Sequence, residues 1–275
     1  MTDLVLLTGA TGFVGRQVLR SLLAQNIPVR LVVRSGTEHQ FDKCPELESV
    51  VTTDDLFAES ENWWAKVCTG VHTVVHAAWF AKPGTYLWAD ENIDCLSGTL
   101  ELAKGAICSK VSRFVGVGTC FEYDLANGRL SVDAPLKPLT PYAAAKVATF
   151  HMLAQWFAVK KIEFSWCRLF YLYGEGEDHQ RLVPYLRHQL SSGQTAELSK
   201  GTQVRDFLDV QVAGQAIAAV ALSSRVGAIN ICSGVAITIR ELAEKIADEY
   251  GRRDLLKFGA KPEREMDPPI VVGIL

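Results

Sequence analysis

Within four positions of GTCFEYD, residues 119–122, fall three side chains able to do chemistry: the hydroxyl of Thr119, the thiol of Cys120 and the carboxylate of Glu122. Further along, PYAAAKVATF places Tyr142 and Lys146 at i, i+4, so on a helix a phenol and an ammonium share one face. The ammonium is expected to lower the phenol from its usual pKa of about 10, making Tyr142 a proton donor and acceptor near neutrality. Taken alone, the pair also describes an amphipathic helix that merely carries both residues.

A second chemical signal lies at the N-terminus, in TGATGFVG. Gly9, Gly12 and Gly15 stand where an apolar run gives way to a helical pattern, so their missing side chains allow a tight turn and close approach of a diphosphate. The first helical N–H groups, at Phe13 and Val14, then face the anion together with the positive end of the helix dipole. A tight strand-to-helix turn would use the same glycines, but the surrounding βαβ pattern favours dinucleotide binding. Sites for NAD usually end the second strand with a carboxylate, and this chain ends it with Arg34-Ser35. Arg34 is either a solvated strand-end charge or a partner for the 2′-phosphate of NADP. Asp55-Leu56 and Ala77-Ala78 follow the third and fourth strands, where a doubly wound sheet presents loops to the adenine and nicotinamide sides; plain loop roles are the alternative.

The elements that must position these residues alternate. Strands are predicted at LVLLTG, VRLVVR, SVVTT, VHTVVHAA, RFVGVGT and IEFSWCRLF. Helices are predicted at residues 14–23, NIDCLSGTLELAKGAI and YAAAKVATFHMLAQWFA. The fold class is α/β, a Rossmann-type doubly wound parallel sheet. Residues 1–170 are read as the dinucleotide-binding domain and 171–275 as a smaller substrate-binding part, interleaved with the first. That second part holds LVPYLRHQLSSG, TQVRDFLDVQVAGQAIAAVAL and a final helix, TIRELAEKIADEY.

TGATGFVG, VVHAA, GTCFEY, YAAAK, RLFYLYG and VRDFLDV occur in the order found in the extended short-chain dehydrogenases/reductases, and the chain resembles that family over nearly its whole length. Within it the sequence is similar to the nucleotide-sugar branch, and there to reductases of nucleotide-linked 4-keto-6-deoxy sugars. The resemblance implies a catalytic Thr119, Tyr142 and Lys146, with Lys146 also holding the nicotinamide ribose and Ala77, Ala78 and Asn92 lining the cofactor. Dehydratases of the family carry an Asp-Glu pair where this chain has Cys120-Phe121. Epimerising reductases place a Cys at Phe121 and a His at Arg181, so single-carbon hydride transfer is what survives. Arg205 is implied beside the substrate diphosphate, with Arg181 and Arg264 as further candidates; a pair with Asp206 or Asp209 is the competing reading of Arg205. Tyr171 stands where the family has an Asn near the sugar. The chain also stops at PPIVVGIL, where relatives usually continue through another helix, and a truncated C-terminus is one reading of that.

The implied activity is NADP-dependent reduction of a 4-keto group for surface-polysaccharide sugars. A 4-epimerase that retains NAD and a non-catalytic cofactor sensor are the alternatives, and sensors tend to lose the Tyr or Lys present here. Composition is consistent with a small-molecule enzyme: 28 basic against 31 acidic residues leave a net charge of −3, with no field for nucleic acid or an anionic membrane. No apolar window approaches the roughly 20 residues of a spanning helix, and the N-terminus lacks a basic region, so a cytoplasmic protein is expected. Seven scattered cysteines fit a reducing compartment, and six histidines without HxH or HExxH spacing predict no metal site. Trp79 and Phe80, directly after Ala77-Ala78, are candidates to wall the sugar pocket. The helices containing residues 100–107 and 147–157 either form a homodimer or pack on the sheet.

Overall fold

The computed structural model describes residues 3–42, 44, 46–263 and 267–275. Strands β1 (Val5–Thr8), β2 (Val29–Arg34), β3 (Leu47–Thr53), β4 (Thr73–His76) and β5 (Arg113–Thr119) join Glu163–Leu169 and Gly227–Ile231 in one seven-stranded sheet. All neighbours are parallel, in the order β3-β2-β1-β4-β5, then residues 163–169, then 227–231. This is the Rossmann-type α/β sheet that the alternating pattern predicts. Its order reverses between β1 and β4, which opens a crevice at their C-terminal ends.

Side-chain alternation along the strands fills both faces of the sheet. Val5 and Leu7 of β1 face one way and pack with helices α1 (Phe13–Leu23) and α6 (Val210–Ala221). Leu6 faces the other way, toward α2 (Glu61–Val67), α3 (Glu91–Cys108) and α4 (Pro141–Lys160). Leu102 of α3 and Leu153 and Phe157 of α4 are buried in that second cluster, so these apolar positions pack on the sheet.

A second lobe lies beyond the C-terminal edge. There α5 (Leu182–Ser191) and α7 (Ile239–Glu249) share a small core with the parallel pair Ala196–Leu198 and Leu256–Phe258. A four-stranded sheet ties the lobe to the first half of the chain, because Arg129–Leu130 pairs with Ile270–Gly273. The two parts exchange segments: α6 and Gly227–Ile231 come from beyond residue 170, yet both pack in the large layer. The strand Gly227–Ile231 is absent from the sequence-based expectation. It is a short run interrupted by Asn230, and only its register with residues 165–169 makes it a strand.

Candidate active site

Gly9 turns the chain from β1 toward α1 at φ +79°, and a Cβ there would lie 2.7 Å from Ala78 N. One on Gly15 would lie 2.1 Å from the Gly9 carbonyl oxygen. The turn is therefore pressed against the Ala77-Ala78 end of β4, with the Ala78 N–H donating to Thr8 Oγ1 at 3.3 Å. Helix α1 begins after Gly12 with no side-chain cap and no acidic residue in its first turn, leaving the N–H groups of Phe13 and Val14 for an anion. Arg34 and Ser35 are exposed at the end of β2. Asp55 is exposed after β3, its Oδ1 accepting from Phe57 N at 2.9 Å, while Leu56 is half-buried against the α2–α4 side. These groups form an open, backbone-lined cradle that fits a dinucleotide.

The candidate catalytic residues meet beside the crevice. Thr119 ends β5 in an extended conformation, and its Oγ accepts from Phe121 N at 3.3 Å as the chain turns away. Tyr142 and Lys146 occupy the first turns of α4, whose start is fixed by Pro141 and by Thr140 Oγ1 accepting from Ala143 N at 3.2 Å. Burial pushes the Tyr142 phenol well above the ordinary tyrosine value; the adjacent Tyr86 phenol adds to this and a hydrogen bond with Thr119 opposes it. The expected lowering by Lys146 is thus corrected. The Lys146 ammonium turns instead to the Val117 carbonyl at 2.6 Å and lies 3.6 Å from the centre of the Trp79 ring. Burial lowers Lys146 to about 7, with Glu122 and Cys95 acting the other way.

Behind Thr119 lies a sealed polar network. Glu122 is fully buried and accepts from Thr119 N at 2.8 Å, Trp166 Nε1 at 2.9 Å and Arg168 Nε at 2.7 Å. Arg168 also donates to the Tyr123 hydroxyl at 3.0 Å, and that hydroxyl donates to Asn230 Oδ1 at 2.7 Å. The glycines of RFVGVGT make room for this arrangement. A Cβ on Gly116 would meet the Trp166 ring at 2.4 Å, and one on Gly118 would meet Trp166 Nε1 at 2.2 Å. Glycine at alternate positions of a buried strand was the available sequence signal for a large ring lying across it. Cys120 is buried and its thiol is pushed up to about 12 by burial, so it stays protonated. His76 is held between Thr8 Oγ1 at 2.8 Å and Thr99 Oγ1 at 2.9 Å, and burial lowers it to about 3.

The segment after β4 covers the Tyr142–Lys146 pair. Asn92 is buried; its Oδ1 accepts from Trp79 Nε1 at 2.9 Å, and its Nδ2 donates to the carbonyls of Tyr86 at 2.7 Å and Ala89 at 2.9 Å. Its amide is thus committed to the loop and to the Trp79 indole. The Tyr86 ring meets the Tyr142 ring edge-on, with centroids 4.9 Å apart. Sequence reasoning passed over Tyr86, because nothing local in KPGTYLWAD marks it.

On the side of the second lobe, Phe121 meets Tyr171 edge-on at 6.1 Å, and the Arg205 guanidinium lies 5.3 Å from the Tyr171 ring centre. Arg205 is brought beside this cluster, but its carboxylate partner is neither Asp206 nor Asp209. Asp267 Oδ1 accepts from Arg205 Nη2 at 2.6 Å. Asp206 instead accepts from Ser233 N at 2.7 Å and Gly234 N at 2.9 Å, and Asp209 caps α6 through Gln211 N at 2.7 Å. Arg181 stands at the start of α5 with its guanidinium 3.8 Å from Glu177, and no contact among the described residues joins it to the catalytic group. Arg264 lies outside the described residues. No helix among the described residues is long and apolar enough to cross a membrane.

The chain has relatives among known proteins. The chain is 23% identical over 277 residues to a dTDP-6-deoxy-L-talose 4-dehydrogenase (NAD(+)) of Aggregatibacter actinomycetemcomitans, covering 98% of each. It is 28% identical over 265 residues to a GDP-6-deoxy-D-mannose reductase of Pseudomonas aeruginosa, covering 90% of this chain and 80% of that one. The fold superposes with a TM-score of 0.84 on a UDP-N-acetylglucosamine 4-epimerase from Methanobrevibacter ruminantium M1 in complex with UDP-N-acetylmuramic acid, at 22% identity, covering 100% of this chain and 90% of that one. Residues 5–232 match the NAD dependent epimerase/dehydratase family, and the chain belongs to that family, in the nucleotide-sugar branch of the extended short-chain dehydrogenases/reductases.

Proposed function

We propose that the protein reduces the 4-keto group of a nucleotide-activated 4-keto-6-deoxyhexose with NADPH. Family membership makes it an NAD(P)-dependent oxidoreductase of the nucleotide-sugar class. The observation that carries the finer reading is the wall beside Thr119. A protonated, buried Cys120 and the Phe121 ring edge-on to Tyr171 stand where dehydration would need an acid and a base. Such a wall suits a methyl group at C6 and leaves Thr119, Tyr142 and Lys146 as the reacting set.

In this mechanism Thr119 orients the sugar carbonyl oxygen. Tyr142, held protonated by burial, gives its phenolic proton to that oxygen as the carbon is reduced, and recovers a proton from solvent. The bound dinucleotide supplies the hydride. Lys146 holds the nicotinamide ribose, Gly9, Gly12 and Gly15 admit the diphosphate, and exposed Arg34 takes the 2′-phosphate that distinguishes NADP. Arg205 binds the substrate diphosphate with its planar fork of donors.

The test is incubation with NADPH and a panel of nucleotide-linked 4-keto sugars, following loss of NADPH absorbance. Turnover with a 6-deoxy member is the expected result. Interconversion of UDP-glucose and UDP-galactose on tightly held NAD, without net consumption of cofactor, would establish the epimerase reading instead.

A further inference from the structure

Lys146 is held from more sides than its assigned role requires. Its ammonium donates to the Val117 carbonyl at 2.6 Å, lies 3.6 Å from the Trp79 ring centre and 5.7 Å from that of Trp166. Trp79 is itself fixed: its indole N–H donates to Asn92, and its ring stands edge-on to Tyr142 at 6.4 Å and to Phe57 at 6.4 Å. The same Asn92 amide binds the Tyr86 carbonyl, and the Tyr86 ring rests on Tyr142. One indole therefore touches both members of the Tyr-Lys pair and, through Asn92, holds the loop that carries the second phenol.

We propose that Trp79 is a positioning residue of the reaction: the face of its indole holds the Lys146 ammonium beside Tyr142, and its N–H, through Asn92, locks the Tyr86 loop over the pair. The physical reason is that a ring face attracts a cation without needing an oxygen acceptor. An ammonium has three donors, so those not used by Val117 stay available to ribose hydroxyls. The ring also stabilises the charged form in a buried place that otherwise disfavours it. The groups facing Lys146 are Glu122 from the turn after β5, Cys95 from α3, His76 from β4 and Tyr142 on its own helix. Cys95 and His76 are neutral near pH 7, so among these groups the Glu122 carboxylate, paired with Arg168, is the one that favours the ammonium, and the indole complements it.

The inference rests on Lys146 being the ammonium that holds the dinucleotide, and its deciding readout does not rely on the sugar. Fluorinated tryptophan installed at position 79 keeps the ring's shape while weakening its face, so folding is not at issue. The pH dependence of the NADPH dissociation constant, read from NADPH fluorescence, should show its alkaline limb moving to lower pH, by about half a unit to one unit for a heavily fluorinated ring. Trp79→Leu should move the limb further and lower kcat about tenfold, and Trp79→Phe should restore the limb. An unmoved limb in both the fluorinated protein and Trp79→Leu overturns the proposal. If the limb moves while no 4-keto sugar is reduced by the wild type, Trp79 keeps its role and the substrate reading falls instead.

Discussion

Arg168 and Arg205 are both almost fully buried, with side chains 1% and 2% exposed, yet their partners differ. Glu122, the partner of Arg168, is 0% exposed and also accepts from Thr119 N and Trp166, while Arg168 reaches Asn230 through the Tyr123 hydroxyl. Asp267, the partner of Arg205, is 35% exposed and lies in the segment before the final strand. The first pair is a sealed scaffold behind the reacting residues. The second has one half open to solvent, as the proposed exchange of its carboxylate for a substrate phosphate requires. Burial of a charge therefore says little about its job until the exposure of its partner is known. The same division separates the tyrosines: Tyr123 is buried inside the scaffold, and Tyr142 stands in the cleft.

The comparison breaks most visibly at Glu122. Glu122→Ala strands the Arg168 guanidinium and removes the cap on Thr119 N, and should cost about 3–5 kcal/mol in urea unfolding. A loss under 1 kcal/mol would mean that the network is not sealed. Next in size is the contrast between phenols. Tyr142→Phe should lower kcat on the order of 100-fold or more while leaving the melting temperature in place. Tyr123→Phe should do the reverse, costing about 1–2 kcal/mol by leaving Arg168 and Asn230 each short of a partner, with kcat near wild type. Arg205→Met should raise KM for the nucleotide sugar roughly 10- to 100-fold with a smaller change in kcat, as expected for lost charge-assisted bonds to phosphate. Equal KM values would make Arg205 a second scaffold arginine.

The division between scaffold and open site also marks what the sequence could show. The six expected strands all form, because alternating or continuous apolar runs such as VRLVVR and RFVGVGT carry their burial locally. Gly9 and Gly15 are legible for the same reason: the turn they permit is made within their own segment. The Arg205–Asp267 pair links residues 62 apart, and the nearer Asp206 and Asp209 were the natural guess from sequence. Both nearer carboxylates had stronger local claims, the N–H groups of Ser233 and Gly234 for one and the α6 cap for the other. The effect of Lys146 on Tyr142 was misjudged because helical spacing fixes which face two side chains share, not where a long flexible one points. Trp79 and Val117, which decide that, come from other elements.

The smallest effect tests the open side by pH. Because burial brings Lys146 down to about 7, its ammonium is lost as pH rises through that value, whereas below it the charge is complete. On the proposed role of Lys146, binding of the dinucleotide by the free enzyme needs the charged form, so kcat/KM for NADPH should be flat on the acid side and fall about tenfold between roughly pH 6 and 8. His76 does not contribute to this limb, since its own transition lies near 3, and the Tyr142 phenol is raised far above it. Removing the scaffold's charge sharpens the assignment: Glu122→Gln withdraws the carboxylate that supports the ammonium, so the limb should move to still lower pH. If it stays in place in a folded Glu122→Gln protein, the scaffold holds Thr119 only by hydrogen bonds and its charge does not reach the cleft.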